Sequence, residues 1–343
     1  MSTLVETQCR VQDLLTLLKG RTRILVLSHN SPDPDSMGAA CGMRYLIEKK
    51  LGIPSIFGYR GDIFRAENQE MVRTLGLGMV KVEDLDMDRF DGVVLVDTQP
   101  GFGHTIVPEG KPIDGVIDHH VLPDASPMIG EYRDVRADVG ATCSMITEYL
   151  IHVGLPIPDR IATALLYGIR TDTADLSRNT SALDERAYMH LMELSDRKAL
   201  ARISQPQLPI DYFRIFRKAL NAVRIYGKVV LCSLGRTENP ETVAELADLL
   251  LRMQDVEWVI TGGLYEETYY LSVRAKSYGR DAWSLLHEAL KGEGSFGGHG
   301  TVGGASIPVT DDSQRGIRRL ERRLQNSILE VLGEQDSTAL SLA

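Results

Sequence analysis

Cysteine is scarce in this sequence, and its copies are widely separated. Cys9, Cys41, Cys143 and Cys232 form no C-x-x-C pair among the 343 residues. This spacing excludes a disulfide framework and a thiolate zinc site. It favours buried or incidental thiols in a reducing compartment.

Long hydrophobic runs are also missing. The longest, "ILVL" and "VVLV", have the length of a strand and are far too short to cross a bilayer. The N-terminal stretch "MSTLVETQCR" lacks the charged and apolar regions of a signal peptide. We therefore expect a cytoplasmic protein with no membrane partner.

Positive charge is in deficit, with 38 Lys and Arg against 47 Asp and Glu and a net charge of −9. This deficit disfavours broad electrostatic binding of long nucleic acid, including stable binding of long duplex DNA. A short oligonucleotide or nucleotide substrate is still compatible with it, because bound divalent cations reverse the sign of a site locally.

The first half of the chain alternates short apolar strands with helices. Five runs are typical of strands: "ILVLSH" (24–29), "PSIFGY" (54–59), "MVKV" (79–82), "DGVVLVDT" (91–98) and "DGVIDHH" (114–120). After the first of them, "SMGAACGMRYLIEKK" predicts a helix with Ser36 as its N-cap. The alternation predicts an α/β protein whose first domain is a Rossmann-like, mostly parallel sheet with helices on both faces.

The pattern changes near residue 200. Residues 201–211, "ARISQPQLPID", contain two prolines and two glutamines with little periodicity, as in an interdomain linker. We predict a first domain over 1–195, a linker over 196–215 and a smaller α/β domain over 216–343. A last helix, about 312–333, exposes five arginines; a solvated face, a dimer contact and a phosphate-attracting surface are the alternatives for it.

Acids and imidazoles follow the ends of several predicted elements. They are His29, Asp33 and Asp35, then Asp97, then Asp118, His119 and His120, and finally Asp172 after a helix over 159–170. Ligands of an open parallel sheet bind outside the carboxyl ends of its strands. One aspartate after a strand is usually a cap or turn residue. Their joint occurrence predicts a single site.

The residue types in this set favour a hydrolytic metal site. Carboxylates and imidazoles without a thiolate suit a hard-to-borderline divalent cation such as Mn²⁺ better than structural zinc. The ligands are sufficient for two cations if one carboxylate bridges them, with Mg²⁺ or Co²⁺ as alternatives to Mn²⁺. Two cations about 3.5–4 Å apart clamp the attacking and leaving oxygens of a phosphoryl group.

These motifs resemble those of the DHH phosphoesterase family. "HNSPDPDSMG" resembles its first motif, His-x-x-x-Asp-x-Asp-x-x-Gly. "VVLVDTQ", "IDHH" and "GIRTDTADL" are similar to the second, third and fourth motifs, all within residues 24–180. In the second half, "GSFGGHGTVGGAS" resembles the Gly-Gly-His element of a DHHA1 substrate domain. The subgroup that the chain resembles is the nanoRNase and 3′-phosphoadenosine-5′-phosphate phosphatase type, which is related to RecJ.

The resemblance implies a role for each matching residue. One cation is held by His29, Asp33 and Asp97, and the second by Asp35, Asp97, His119 and Asp172, with Asp97 bridging. His120 faces the substrate phosphate, and Asp118 orients an imidazole. Substrate contacts are implied for Arg274, Gly297, Gly298 and His299, and Arg178 is a further candidate. A flexible surface loop is the alternative for the glycine-rich stretch, and an exposed arginine is the alternative for Arg178.

The function implied is a two-metal phosphodiesterase that hydrolyses short oligonucleotides, including linear dinucleotides, to nucleoside monophosphates. A 3′-phosphatase activity on adenosine 3′,5′-bisphosphate is the accompanying expectation. A processive RecJ-like single-strand exonuclease is one alternative, although the negative charge and 6% aromatic content count against it. A nucleotide sensor without turnover is another, and the complete ligand set counts against it. A homodimer is left open.

Overall fold

The computed structural model describes residues 2–102, 105, 110–121, 129–276 and 281–342, without the side chains of residues 2–9 and of His299. The chain divides into two compact units, Met1–Pro206 and Gln207–Ala343. The point of division falls inside the predicted linker. The domain limits drawn from the sequence stay a prediction.

The first unit is built on a six-stranded parallel sheet. Its strands are β1 (Ile24–Leu27), β2 (Ser55–Tyr59), β3 (Met79–Lys81), β4 (Gly92–Val96), β5 (Gly115–Asp118) and β6 (Tyr132–Val135). They are arranged in the order β3-β2-β1-β4-β5-β6. Every residue of β1, β4 and β5 is buried. The described α-helices pack on one face of the sheet, and the segment between β3 and β4, with Val82 and Phe90, covers the other, so the prediction of helices on both faces holds for one face among the described residues. The predicted α/β fold class is confirmed.

Seven helices accompany this sheet in the described part of the unit. They are α1 (Ser2–Leu18), α2 (Pro34–Leu51), α3 (Ala66–Leu75), α4 (Thr142–His152), α5 (Asp159–Asp172), α6 (Ala182–Leu194) and α7 (Arg197–Ser204). Two single 3₁₀ turns, Val82–Asp84 and Met87–Arg89, connect β3 to β4. Side chains from α2, α4 and α5 fill the larger hydrophobic core against one face of the sheet.

The second unit contains a seven-stranded sheet. Its elements are α8 (Ile210–Ala222), β7 (Val223–Tyr226), β8 (Val229–Arg236), α9 (Glu241–Leu250), β9 (Trp258–Tyr265), β10 (Thr268–Ala275), α10 (Ala282–Leu290), β11 (Ser295–His299), β12 (Val302–Pro308), α11 (Gln314–Val331) and β13 (Leu340–Ser341). The strand order is β11-β12-β10-β9-β8-β7-β13. All neighbours are antiparallel except the parallel pair β8 and β9.

The predicted linker, residues 196–215, is mostly helical. Asp196 caps α7 by accepting hydrogen bonds from two backbone amides, and α8 begins at Ile210. The glycine-rich stretch also differs from a loop, because β11 and β12 pair as an antiparallel hairpin. A Cβ at Gly303 would lie 3.0 Å from both Ala282 Cβ and Leu286 Cδ1. Glycine therefore lets α10 pack directly on this part of the sheet.

Two further observations concern membrane-spanning helices and the cysteines. Among the described residues, none of the helices is both long and apolar enough to cross a membrane. Cys41, Cys143 and Cys232 are free and buried, as the sequence predicts.

Candidate metal centre

The strand order places the site. Strands β2 and β3 are added on one side of β1, whereas β4, β5 and β6 are added on the other, so the strand order changes direction between the adjacent parallel strands β1 and β4. An open α/β sheet has its crevice at such a point, outside the carboxyl ends of the strands. His29 follows β1 by two residues, and Asp97 directly follows β4.

Asp97 lies between two groups of ligand atoms. Its Oδ2 is 3.6 Å from His29 Nε2, and its Oδ1 is 3.5 Å from His119 Nε2. Asp97 is only 2% exposed and has a left-handed backbone, with φ of 57°. Hydroxyls hold both oxygens, since Ser36 Oγ donates to Oδ2 at 2.6 Å and Thr142 Oγ1 donates to Oδ1 at 3.0 Å. The carboxylate of Asp97 thus faces ligand atoms of both groups.

The first ligand group is His29, Asp33 and Asp97, whose ligand atoms all lie within 4.8 Å of one another. His29 Nδ1 is 2.8 Å from the carbonyl of Asn30, which leaves Nε2 to accept a cation. Asp33 is the N-cap of α2 and accepts from the amide of Ser36 at 2.9 Å. The prediction of Ser36 as N-cap was wrong, because Pro34 begins the helix and the Ser36 hydroxyl bonds Asp97 instead.

The second ligand group is Asp35, His119 and Asp172, also within 4.8 Å. Asp35 is buried and accepts hydrogen bonds from the amides of Thr142 at 2.7 Å and Cys143 at 2.9 Å, at the N-terminus of α4. These bonds aim the carboxylate, and each oxygen keeps a lone pair for a cation.

His119 presents an unsatisfied nitrogen to this group. Its Nδ1 lies 3.2 Å from the carbonyl of Val139. Its Nε2 is 3.2 Å from Asp172 Oδ2 but makes no hydrogen bond of acceptable geometry with any described residue. A buried nitrogen without a partner calls for an explanation, and a cation held among these oxygens supplies it.

His120 and Asp118 form a separate pair beside the ligands. Asp118 Oδ1 is 2.8 Å from His120 Nδ1 and accepts from the His119 amide at 2.8 Å. Its Oδ2 accepts from Gln99 Nε2 at 2.8 Å. Asp118 is fully buried, whereas the side chain of His120 is 44% exposed. The carboxylate therefore fixes the imidazole, and the ring remains accessible.

The electrostatics of the cluster reflect crowded carboxylates. Burial, reinforced by the charge of Asp33, raises the pKa of Asp97 to about 6. Burial and the charges of Asp97 and Asp172 hold the pKa of Asp35 well above its usual range. Burial lowers the pKa of His119, but the neighbouring carboxylates outweigh it and raise that pKa well above its usual range. Divalent cations at this place would neutralise the same charge.

The residues fit a pair of divalent cations. Nitrogen and carboxylate donors from two groups meet through Asp97, and thiolates do not contribute to either. One imidazole nitrogen of the centre, His119 Nε2, is left without a hydrogen bond among the described residues for the cation to satisfy. This donor chemistry matches the set that the sequence predicts.

Residues 23–169 match the DHH family, N-terminal domain. The chain is 32% identical over 339 residues to an uncharacterized protein of Methanocaldococcus jannaschii, covering 97% of this chain and 69% of the relative. The chain belongs to the DHH family. The match to a DHH domain covers the whole candidate centre except Asp172.

Other relatives of this DHH protein have functional names. It is 26% identical over 330 residues to the bifunctional oligoribonuclease and PAP phosphatase NrnA of Thermus thermophilus, covering 91% of each chain. It is 25% identical over 264 residues to a probable manganese-dependent inorganic pyrophosphatase of Streptococcus pyogenes, covering 72% of this chain and 80% of the relative.

Solved structures show the same fold. An exopolyphosphatase-related protein from Bacteroides fragilis superposes with a TM-score of 0.74 at 16% identity, covering 95% of this chain and 98% of that chain. RecJ from Thermus thermophilus in complex with Mn²⁺ superposes with a TM-score of 0.51 at 14% identity, covering 95% and 55%. At these identities the likeness concerns the fold alone.

The ligand groups found among the described residues do not include the predicted substrate residues of the DHH protein. Arg178 Nη2 donates to the carbonyl of Asp172 at 2.9 Å. In the second unit, Arg274 is 13% exposed and bonds the carboxylate of Asp248. Gly297 and Gly298 lie in β11, and the side chain of His299 is outside the described part of the structure. Their contacts with a substrate stay a prediction.

Several residues that hold the carboxylates of the centre were not predicted from the sequence. The hydroxyls of Ser36 and Thr142 and the amide of Gln99 hold the carboxylates of Asp97 and Asp118. Ser36 and Gln99 lie inside the motifs, so their proximity to the ligands was an available signal. Thr142 lies far from any motif, and no sequence feature connects it to Asp97.

Proposed function

We propose that this protein is a divalent-metal-dependent phosphodiesterase that hydrolyses short oligonucleotides to nucleoside monophosphates. One observation carries the proposal: the two oxygens of buried Asp97 face two separate ligand groups, 3.6 Å and 3.5 Å from an imidazole nitrogen of each. A carboxylate shared between two ligand groups would hold two cations close together, and a two-cation phosphoryl site uses a separation of about 3.5–4 Å.

The ligands divide between two cations. His29, Asp33 and Asp97 would hold one, and Asp35, Asp97, His119 and Asp172 the other. Carboxylates outnumber imidazoles in these groups and no thiolate of the described residues contributes to them, which favours Mn²⁺, with Mg²⁺ and Co²⁺ as alternatives. When bound, such cations withdraw charge from the phosphoryl oxygens and make water a stronger nucleophile at neutral pH.

The chain's own residues would orient the reacting phosphate. Asp118 accepts a hydrogen bond from Nδ1 of His120, so Nε2 of the protonated ring would donate to the scissile phosphate or the leaving oxygen. Burial lowers the pKa of His120, but the hydrogen bond to Asp118 and the charge of Asp97 outweigh it and raise that pKa, which favours the protonated ring. Asp118 acts through His120 and through the backbone of His119, so it is a positioning residue. Burial of Asp97 and Asp118 keeps water from competing for their hydrogen bonds.

The substrate class is supported by the relatives and by charge. The relative named as an oligoribonuclease and PAP phosphatase aligns over 91% of both chains, whereas the probable pyrophosphatase aligns over 72% of this chain. A net charge of −9 favours a short substrate over a long strand. Adenosine 3′,5′-bisphosphate is the second substrate that we propose.

Part of the substrate would bind the second unit. At Gly297 an added Cβ would meet no atom within 4 Å, so the backbone of β11 is open to a ligand there. Arg274 and His299 would contact the terminal nucleotide, and Arg178 would contact a phosphate.

The test is a product time course with Mn²⁺ on four substrates in parallel: a 5′-phosphorylated dinucleotide, a long single-stranded RNA, adenosine 3′,5′-bisphosphate and pyrophosphate. Asp97→Asn keeps the shape of the shared ligand and removes its charge. Asp84→Asn removes the same charge from an exposed carboxylate of the same unit. We expect release of mononucleotides from the dinucleotide, a loss of at least about a hundredfold in Asp97→Asn, and no loss in Asp84→Asn.

Other outcomes would replace the proposal. Turnover of pyrophosphate alone would indicate a pyrophosphatase, and preference for the long strand would indicate a RecJ-like exonuclease. Dinucleotide binding by calorimetry without turnover of any substrate would indicate a sensor. Full activity of Asp97→Asn would contradict the assignment of the shared ligand.

A further inference from the structure

The second unit contains a basic groove between the end of α10 and the exposed face of α11. It has a volume of about 940 Å³, and its lining includes Lys291 and five arginines of α11. We call Lys291, Arg315, Arg318, Arg319, Arg322 and Arg323 the arginine groove. All six residues are exposed.

Only one of the described guanidinium groups of the arginine groove is bound by a carboxylate, although Asp311 and Glu321 interact electrostatically with Arg315, Arg318 and Arg319 at longer range. Arg323 is held by Glu293, with Nη2 donating to Oε1 at 2.8 Å. Within the part of the chain that the structure describes, Arg315, Arg318, Arg319 and Arg322 make neither a hydrogen bond nor an ion pair with a carboxylate.

Their spacing along α11 is unfavourable for the helix itself. Arg315 and Arg319, and likewise Arg318 and Arg322, are four residues apart and lie on one face. Like charges at this spacing destabilise a helix. A bound polyanion would relieve the repulsion, whereas solvent exposure alone leaves it in place.

The arginine side chains of α11 favour phosphate as the ligand. Every basic side chain of α11 is arginine rather than lysine, and the guanidinium fork donates two parallel hydrogen bonds to phosphate oxygens. Arg315 and Arg322 are separated by about 10 Å along the helix axis. This span covers several successive phosphates, which follow one another at about 3.4 Å along a stacked strand.

An aromatic pair on α10 favours a nucleic acid strand over inorganic polyphosphate. Trp283 is 43% exposed and stacks on His287 with ring centroids 5.0 Å apart. Trp283 and His287 precede the lining residues Ala289, Leu290 and Lys291 on the same helix, and bases of a bound single strand stack on exposed aromatic rings.

We propose that the arginine groove binds the phosphate backbone of single-stranded oligonucleotides longer than a dinucleotide. The inference rests on the proposed function for its choice of oligonucleotide. It adds a binding surface on α11 that is separate from the residues proposed to hold cations.

The test is binding of fluorescein-labelled oligonucleotides of two and twelve nucleotides by the full chain, measured by anisotropy in excess chelator so that hydrolysis does not interfere. The groove variant is Arg315→Gln/Arg319→Gln/Arg322→Gln. The matched control, Arg186→Gln/Arg197→Gln/Arg202→Gln, removes the same charge from exposed positions of α6 and α7.

We expect the groove variant to bind the dodecamer at least about tenfold more weakly than the wild type and the control at low salt. The slope of log affinity against log salt should fall by about 2, since each lost phosphate contact contributes about 0.7. Binding of the dinucleotide should be unchanged.

Equal dodecamer affinity and salt slope in the groove variant and the control would overturn the inference. It would also be overturned if only inorganic polyphosphate bound in a groove-dependent way, or if the groove variant lost a homodimer while keeping its oligonucleotide affinity. Hydrolysis is measured separately with Mn²⁺. Groove-dependent binding without hydrolysis would refute the proposed function but support oligonucleotide binding by the arginine groove. Hydrolysis without groove-dependent binding would support the proposed function but refute binding by the groove.

Discussion

Replacing Gly168 by alanine should disturb the packing that holds the metal ligands in place. A Cβ at Gly168 of α5 would lie 2.5 Å from Cys143 Sγ, 3.0 Å from Asp35 Cα and 3.0 Å from the carbonyl oxygen of Pro34. The last two atoms belong to the backbone of α2, which positions Asp35. They cannot move away by a side-chain rotation.

The expected cost follows from two opposing effects. Alanine ordinarily stabilises a helix interior by about 1 kcal/mol relative to glycine. Overpacking costs about 1–3 kcal/mol, and backbone contacts favour the upper end. We expect Gly168→Ala to lower the free energy of unfolding of the first unit by about 2 kcal/mol. Separation of α2 from α5 would also displace Asp35 from Asp172, and should weaken Mn²⁺ binding by about tenfold.

The assay is urea unfolding followed by far-ultraviolet circular dichroism, since both tryptophans, Trp258 and Trp283, belong to the second unit. Hydrogen exchange of α2 and α5 locates the change, and calorimetry measures Mn²⁺ affinity. Arg186→Ala, at an exposed position of α6, is the control and should change stability by less than about 0.5 kcal/mol. Adding Cys143→Ala to Gly168→Ala should restore part of the lost free energy of unfolding.

Wild-type stability and wild-type Mn²⁺ affinity in Gly168→Ala would refute this packing argument. Full rescue by Cys143→Ala would show that the thiol alone is in the way and that the backbone of α2 is not in close contact.

Two further changes test other parts of the fold. Asp184 is buried and accepts hydrogen bonds from the amides of Gly140 and Ser181, both at 2.8 Å, and from the Ser181 hydroxyl at 2.6 Å. Asp184→Asn should lower the free energy of unfolding in urea by about 3 kcal/mol, because an amide group then faces buried donors. A loss under about 1 kcal/mol would contradict this expectation. Gly298 has a φ of 152°, and a Cβ there would lie 2.5 Å from the Val302 carbonyl oxygen. Gly298→Ala should therefore open the β11–β12 hairpin and raise the hydrogen-exchange rate of its amides by at least about tenfold. Unchanged exchange rates would contradict the close contact between Gly298 and Val302.

Local patterns in the sequence were enough to find much of the first unit. β1, β4 and β5 were predicted because each is an apolar run followed by a polar cluster, and the structure buries them completely. The predicted C-terminal helix exists as α11, with Ile317 and Leu324 buried and its arginines exposed.

Other elements carry weaker local signals and were missed. β6 has four residues with two charged side chains among them, and α3 has only three buried residues in ten. Their positions depend on pairing with β5 and on packing against the rest of the unit. β11 was missed because glycine has low strand propensity, and pairing with β12 outweighs that preference.

By itself, the sequence determined the chemistry of the site: which donors exist, in what order, and that they follow the ends of buried elements. Only the tertiary structure decided which donors meet. Residue spacing does not encode the strand order that places β4 beside β1, and thereby puts Asp97 between His29 and His119. The same holds for Thr142, which reaches Asp97 from a helix 45 residues away. Such contacts arise because neighbouring strands and helices bring distant residues within a few ångströms, and short-range periodicity carries no information about those neighbours.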